Sequence, residues 1–261
     1  MKVVVVTGAA SGLGWALAQG FHARGDHVWL LDRDGPLLSE RAGELGSSGR
    51  VSVAEVDLTD PGAMAIVVSR IMSETPRVDV LVNNAGITHR SPAILTRPAV
   101  IRKVVEVDFL AVVELTIALY PSIELARGCV VNISSMAGWM PVPGRAGYCA
   151  AKSAMHQFFE TFRVEVQDRG VSVLMVYPSF LATAIDRNAL GADGQPARHA
   201  RSTTGRVRSA EWMASRIMAG LARGDRRIFP DRLSAVAALF YRIAPDVYLR
   251  LMRRIFSVEL P

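Results

Sequence analysis

The chain is poor in cysteine, in lysine and in long apolar runs. Two cysteines, Cys129 and Cys149, in 261 residues give no disulfide framework, so a reducing cytoplasm is the expected setting. Histidine and cysteine nowhere cluster at zinc-ligand spacing, and no catalytic metal is expected. No uninterrupted apolar run approaches the ~18 residues of a membrane span. The apolar start at 3–6 is too short for a signal peptide and runs straight into a glycine turn. Neither low-complexity sequence nor a Pro/Ser-rich hinge divides the chain, so one domain over 1–261 is expected. Half of the residues are hydrophobic, enough for a sizeable core. The net charge is +6, but the arginines are scattered and no nucleic-acid-binding motif accompanies them, so no nucleic-acid partner is expected.

Lysine is the informative scarcity. Of 30 lysines and arginines only Lys2, Lys103 and Lys152 are lysines. Arginine is not deprotonated in proteins, whereas lysine tunes or relays a proton, so a chain that prefers arginine marks its lysines. Lys152 follows Tyr148 by four residues, which on a helix is the same face. Ser135 stands thirteen residues before the tyrosine. A phenol, with an ordinary pKa near ~10, is a poor base at neutral pH. A neighbouring ammonium is expected to pull that value down. A serine hydroxyl on a nearby strand end would bond the oxygen of a carbonyl or alcohol. Together the three groups suit proton transfer at an oxygen whose carbon gains or loses a hydride. The spacing alone also fits a packed tyrosine beside a solvated lysine, and Cys149 reads more readily as a packed small residue than as a reactive thiol.

The N-terminus supplies a second half. Four valines at 3–6 read as a strand buried on both faces. Thr7-Gly8-Ala9-Ala10-Ser11-Gly12-Leu13-Gly14 follows, then a helical stretch from Trp15 to Arg24 that Gly25 stops. Strand, glycine turn and helix form a phosphate-binding context, because glycines admit close backbone approach and a helix N-terminus offers free N–H groups. A tight turn without a ligand is the other reading of the glycines. A second strand over 27–31 ends in Asp32, 18 residues after Gly14, where an acid would grip ribose hydroxyls and repel a 2′-phosphate. Arg33 beside it would instead pair with that phosphate. NAD is therefore the expected cofactor, with NADP possible. Asp57, after a third strand over 51–56, is placed to reach an adenine or to lie in solvent.

Further motifs follow in order: Asn83-Asn84-Ala85-Gly86 after a strand at 78–82, Asn132-Ile133-Ser134-Ser135 ending another, Tyr148-Cys149-Ala150-Ala151-Lys152, and Tyr177-Pro178-Ser179 after a strand at 171–176. With TGxxxGxG at Thr7–Gly14, this ordered set over roughly 1–230 resembles the short-chain dehydrogenase/reductase family, in its single-domain branch. The resemblance implies that Tyr148 is the catalytic acid/base, that Lys152 lowers its pKa and holds the nicotinamide ribose, and that Ser135 binds the substrate oxygen. It implies a pyrophosphate turn of Gly8, Ser11, Gly12, Leu13 and Gly14. It further implies that Asn83, Ala85 and Gly86 line the adenosine and ribose, and that Thr183 holds the carboxamide near Pro178. Two positions depart from the family pattern. Asp108, in a helix over 102–119, stands where an asparagine usually supports a water joining the lysine to solvent; an aspartate could also hold that water, but its charge would hold Lys152 as a cation and slow the relay. Ser179 stands for the glycine that usually follows the proline.

Strand-like and helix-like stretches alternate, so the expected fold is a Rossmann-type α/β domain, a doubly wound parallel sheet with helices on both faces. Ligands then bind at the carboxyl ends of the strands. Residues 136–144 bring Met136, Trp139, Met140 and Val142 there, a wall for an apolar substrate or for packing. The stretch 180–208 reads as a substrate loop whose Arg187, Arg198, His199, Arg201, Arg206 and Arg208 would attract an anion or simply be solvated. In the tail, 233–261, two apolar stripes flank Pro245, the second opposite Arg250, Arg253 and Arg254. Capping the pocket, a dimer interface and peripheral contact with an anionic membrane are all open, with packing within the protein or its dimer preferred. The expectation is an NAD(P)-dependent oxidoreductase interconverting a secondary alcohol and a ketone of apolar, lipid- or steroid-like character, as a homo-dimer or homo-tetramer. The rivals are a non-catalytic NAD(P)-sensing or scaffold protein, and a sugar-nucleotide epimerase, whose usual TGxxGxxG and longer substrate domain are not found.

Overall fold

The structure, a computed structural model, describes residues 1–46, 49–183, 185, 188–197, 207–229 and 231–257. Its strands are β1 (Val3–Thr7), β2 (His27–Asp32), β3 (Val51–Glu55), β4 (Val80–Asn83), β5 (Cys129–Ile133), β6 (Ser172–Val176) and β7 (Arg227–Ile228). They pair in the order β3-β2-β1-β4-β5-β6-β7, and every pair is parallel. The helices are α1 (Gly12–Ala23), α2 (Gly35–Glu44), α3 (Pro61–Glu74), α4 (Pro98–Val105), α5 (Ala111–Ala126), α6 (Ala146–Val166), α7 (Ala210–Arg223), α8 (Arg232–Ile243) and α9 (Pro245–Ile255).

The valine run of β1 explains the two-sided core. Side chains alternate across a strand, so Val4 and Val6 face α1 and α7, packing with Leu17, Phe21, Met213 and Ile217. Val5 faces the other way, into the layer built by Ile71, Leu115, Leu119 and Phe159 of α3, α5 and α6. A sheet buried on both faces needs continuous apolar strands, and β1, β4 and β5 supply them. Asp60 caps α3 through its carboxylate, and Pro61 occupies the first helical position, where its missing N–H costs nothing.

Several boundaries shift by one to three residues, and two differences bear on the packing around the site. The fourth strand starts at Val80 rather than 78, because the Val78 amide donates to the Ser122 carbonyl of α5 at 3.1 Å instead of joining the ladder. The helix read over 102–119 is part of a longer run from α4 to α5, joined by a π-helical turn at Glu106–Leu110. The run Pro98–Ala126 is long and apolar enough to cross a membrane by length and composition. Val104, Asp108, Ala111, Leu115, Leu119 and Ile123 are nonetheless buried in the fold, as in a core helix. Strand order reverses between β1 and β4, so the carboxyl ends of these strands part and open a crevice there.

Candidate active site

A cavity of about 990 Å³ occupies that crevice, and most of the predicted residues line it. On the cofactor side are Gly8, Ser11, Gly12, Leu13, Asp32, Arg33, Asp57, Ala85, Gly86, Pro178 and Thr183. The turn between β1 and α1 has φ of +64° at Gly8 and +55° at Gly12, a region that disfavours any Cβ. Gly14 does not line the cavity; a Cβ there would collide with the Gly8 carbonyl oxygen, so it lets α1 pack against the turn. Ser11 makes no side-chain cap to α1, which leaves the helix's first N–H groups directed at the crevice. A Cβ on Gly12 would stand 3.2 Å from the Thr183 methyl, which brings Thr183 to the turn.

Asp32 is already engaged. Its Oδ2 accepts from the Ala10 amide at 3.0 Å and its Oδ1 from the Asp34 amide at 3.1 Å. Each oxygen retains a lone pair for a further donor. Asp57 accepts from the Thr59 amide and hydroxyl at 2.9 and 2.7 Å, and these bonds hold its carboxyl below the usual range. Asn83 is absent from the lining: it is buried, donating to Thr116 and Asn132 at 2.9 Å each. Its neighbour Asn84 does line the cavity and donates from Nδ2 to the Thr7 and Gly8 carbonyls at 2.9 and 3.3 Å. Asn84 thus pins the glycine turn to the end of β4, a role that rests on bonds 76 and 77 residues apart in sequence.

On the reacting side, Ser135 follows the end of β5, and Tyr148 and Lys152 lie in the first two turns of α6. All three line the cavity. Ser135 acts on the Tyr148 phenol in the direction that favours the phenolate, while its own hydroxyl oxygen accepts from the Ala137 amide at 3.1 Å. Lys152 Nζ lies 5.8 Å from the centre of the Tyr148 ring and donates to the Ile133 carbonyl at 3.2 Å. Asp108 is fully buried behind this group, in the π-helical turn, and its Oδ2 stands 3.3 Å from Lys152 Nζ. Its Oδ1 accepts from the Ile87 amide at 2.7 Å.

This geometry corrects one expectation. Tyr148 is not pulled down by its lysine. Burial and then the Asp108 charge push the phenol well above its ordinary value, against the opposing influence of Ser135. The physical reason is burial first, which penalises the charged phenolate, and then the Asp108 carboxylate, which stands 3.3 Å from Lys152 Nζ. Asp108 is itself raised by burial, which outweighs the lowering by Lys152 and the Ile87 amide.

The apolar wall of the cavity has two sources. Met136, Met140 and Val142 come from the 136–144 segment, as expected, and Trp139 packs instead against His156, Tyr177 and Phe229. Tyr248, Leu251, Met252, Ile255 and Phe256 come from the tail. The Tyr248 hydroxyl donates to the Pro141 carbonyl at 3.2 Å, so α9 is bonded to the wall it faces. Of the three placements open for the tail, capping the pocket is the one its inner face takes. Of the loop basic residues, Arg187, Arg198, His199, Arg201 and Arg206 lie outside the described residues; Arg208 lines the cavity, its guanidinium 4.7 Å from the Trp212 ring centre. No cluster of metal-ligating side chains occurs among the described residues.

A parallel doubly wound sheet with a glycine turn at its switch point defines a dinucleotide-binding α/β protein. The family described as short chain dehydrogenase matches residues 2–193, and the chain belongs to the short-chain dehydrogenase/reductase family of oxidoreductases. Dehydrogenase/reductase SDR family member 7B of Bos taurus is 37% identical over 259 residues, covering 96% of this chain and 80% of that protein. Dehydrogenase/reductase SDR family protein 7-like of Drosophila melanogaster is 32% identical over 260 residues, covering 97% and 80%. A short-chain dehydrogenase from Streptomyces avermitilis superposes with a TM-score of 0.80 at 26% identity, covering 98% of each chain. A metagenomic short-chain oxidoreductase in complex with NADP gives 0.73 at 27% identity, covering 87% of this chain and 96% of that one. The cavity fits a nicotinamide dinucleotide: the positive-φ glycine turn, the open end of α1 and the carboxylate of Asp32 lie along one side of it.

Proposed function

We propose that the protein interconverts a secondary alcohol and a ketone on an apolar, lipid- or steroid-like substrate, with NAD the preferred cofactor over NADP. The observation that carries this reading is the meeting of Ser135, Tyr148 and Lys152 in one cavity whose far wall is apolar. Bound nicotinamide would supply or accept the hydride; the glycine turn and Asp32 would hold its dinucleotide, and Lys152 its ribose. Tyr148 moves the proton. In reduction the neutral phenol gives its proton to the carbonyl oxygen, and in oxidation the phenolate takes it from the hydroxyl. Ser135 orients that oxygen, lining the same cavity as the phenol. A raised phenol keeps its proton at neutral pH, the form that donates to a carbonyl oxygen. Met136, Met140 and Met252 offer adaptable apolar surface that excludes water from the reacting carbon.

The test is Tyr148→Phe, assayed with NADH and NADPH against aliphatic, aryl and steroid ketones. Turnover falls by about a thousandfold, the scale of a lost general acid, while nicotinamide fluorescence reports cofactor affinity within about twofold of wild type. Undiminished turnover would overturn the mechanism. Tighter binding of NADPH than of NADH would assign the ribose pocket to Arg33 rather than Asp32.

A further inference from the structure

The first turn of α6 carries Tyr148, and a helix start leaves N–H groups without partners. Arg145, at the N-cap, makes no side-chain cap. The Gly147 amide, one residue before the tyrosine, instead donates to His89 Nε2 at 2.9 Å, across 58 residues of sequence. His89 is fully buried. Because Nε2 accepts, the imidazole proton of the neutral ring sits on Nδ1. Nδ1 faces the Ser91 hydroxyl at 3.4 Å, and Ser91 is bonded in turn to the Thr96 hydroxyl at 2.7 Å.

The same segment is sewn to the substrate loop. The Leu190 amide donates to the Thr88 carbonyl at 2.9 Å, and the Arg90 amide donates to the Leu190 carbonyl at 2.7 Å. His89 and Leu190 thus form an isolated parallel bridge. Ser91 adds a bond to the Gly144 carbonyl at 2.9 Å, just before α6. Leu190 and Thr88 both line the cavity, as does Tyr148. The segment that carries the imidazole is therefore bonded through its backbone to the Leu190 stretch and through the ring to the helix end that holds the phenol.

We propose that His89 is a positioning residue for Tyr148: its neutral ring caps the head of α6 and transmits the seating of the Leu190 loop to the phenol. This rests on Tyr148 being the proton-transfer group. Burial first, and Arg145 at the head of α6 second, hold His89 below its ordinary pKa. Arg90 adjoins it in its own segment. The other contacts among the described residues are uncharged: Ser91 on its own segment, Ile101 of α4 packed at Gly147, and Leu190 of the loop. When pH falls through the His89 pKa, Nε2 gains a proton and the acceptor for Gly147 is lost. An acid limb in kcat follows.

The experiment compares wild type, His89→Leu and His89→Gln in ketone reduction from about pH 5 to 8, with amide exchange of residues 146–149 followed by mass spectrometry. His89→Leu, which cannot accept, is expected to lose kcat by about ten- to a hundredfold, with cofactor affinity unchanged and faster exchange at 146–149. His89→Gln, which accepts and does not titrate, restores much of both and flattens the acid limb. Wild-type kcat and exchange in His89→Leu would overturn the proposal. So would equal losses in the two variants, which would make the site one of packing, or an acid limb surviving in His89→Gln. Should wild type reduce no ketone, the functional reading fails, and the exchange data alone decide whether His89 holds α6.

Discussion

Asp108 is the fully buried carboxylate of the reacting group. Its carboxylate is one of two groups that push the Tyr148 phenol up, and it pairs with Lys152 at 3.3 Å. Asp108→Asn removes that charge and keeps an acceptor for the Ile87 amide. The phenol then falls toward its ordinary value. Alcohol oxidation needs the phenolate, so its rise with pH moves to lower pH, and the rate at neutral pH increases several-fold. Reduction needs the phenol, so its decline at high pH also moves down. Profiles of kcat against pH in both directions check this, and unmoved limbs would show that Asp108 does not act on the phenol. Ser135, Tyr148 and Lys152 were legible in the sequence because each is read from its own chemistry and spacing. Asp108's place against Lys152, 44 residues on, was anticipated through the family resemblance alone, since it depends on how two helices cross, and its push on the phenol was not anticipated. Asn84 and His89 were missed. Each acts through a hydrogen bond to backbone more than 50 residues away, and neither type is unusual in a loop.

The glycine turn and the tail helices make predictions at the level of elements. Gly14 admits no side chain because the Gly8 carbonyl occupies its Cβ position. Gly14→Ala forces α1 off the turn and spoils the N–H cradle, so NADH affinity falls at least about tenfold in a fluorescence titration. Affinity within twofold of wild type would count against the turn as the pyrophosphate site. α9 closes the apolar end of the cavity through Tyr248, which is nearly fully buried and bonded to the Pro141 carbonyl. Tyr248→Ala deletes a large buried side chain, at a cost of about 3 kcal/mol, and loosens that wall. The KM of an apolar ketone rises about tenfold, while cofactor affinity stays put; an unchanged KM would remove α9 from the substrate site. The alternation of strands and helices was legible from valine-rich runs and glycine stops. Less legible were the ends: the π-helical turn at Glu106–Leu110 follows no local signal, since it is the burial of Asp108 against Lys152 and Gly86 that it accommodates.

At the scale of the whole molecule the tail has two faces with different fates. The inner face, with Tyr248, Met252 and Phe256, belongs to the cavity. The outer face leaves Val236, Leu239, Ile243 and Val247 exposed at 61%, 58%, 74% and 52%, beside Arg250, Arg253 and Arg254. Isolated exposed aliphatics are ordinary, but a run of them along two successive helices is a patch that an isolated monomer rarely carries. Its apolar centre and arginine rim match the anatomy of a protein interface. We expect a second copy of the chain to cover it. Two apolar centres replaced by carboxylates, Leu239→Asp with Ile243→Asp, would weaken self-association by about 3 kcal/mol or more, roughly a hundredfold in Kd. Sedimentation equilibrium at micromolar concentration reads this directly, wild type running as a dimer or tetramer and the double variant shifting toward smaller species. The substituted side chains point to solvent, so the melting temperature of an isolated subunit moves little. Unchanged association in the double variant would place the oligomer contact elsewhere. A wild type that sediments as a monomer yet floats with vesicles of anionic lipid, and loses that with Arg250, Arg253 and Arg254 changed to serine, would give the face to a membrane surface instead.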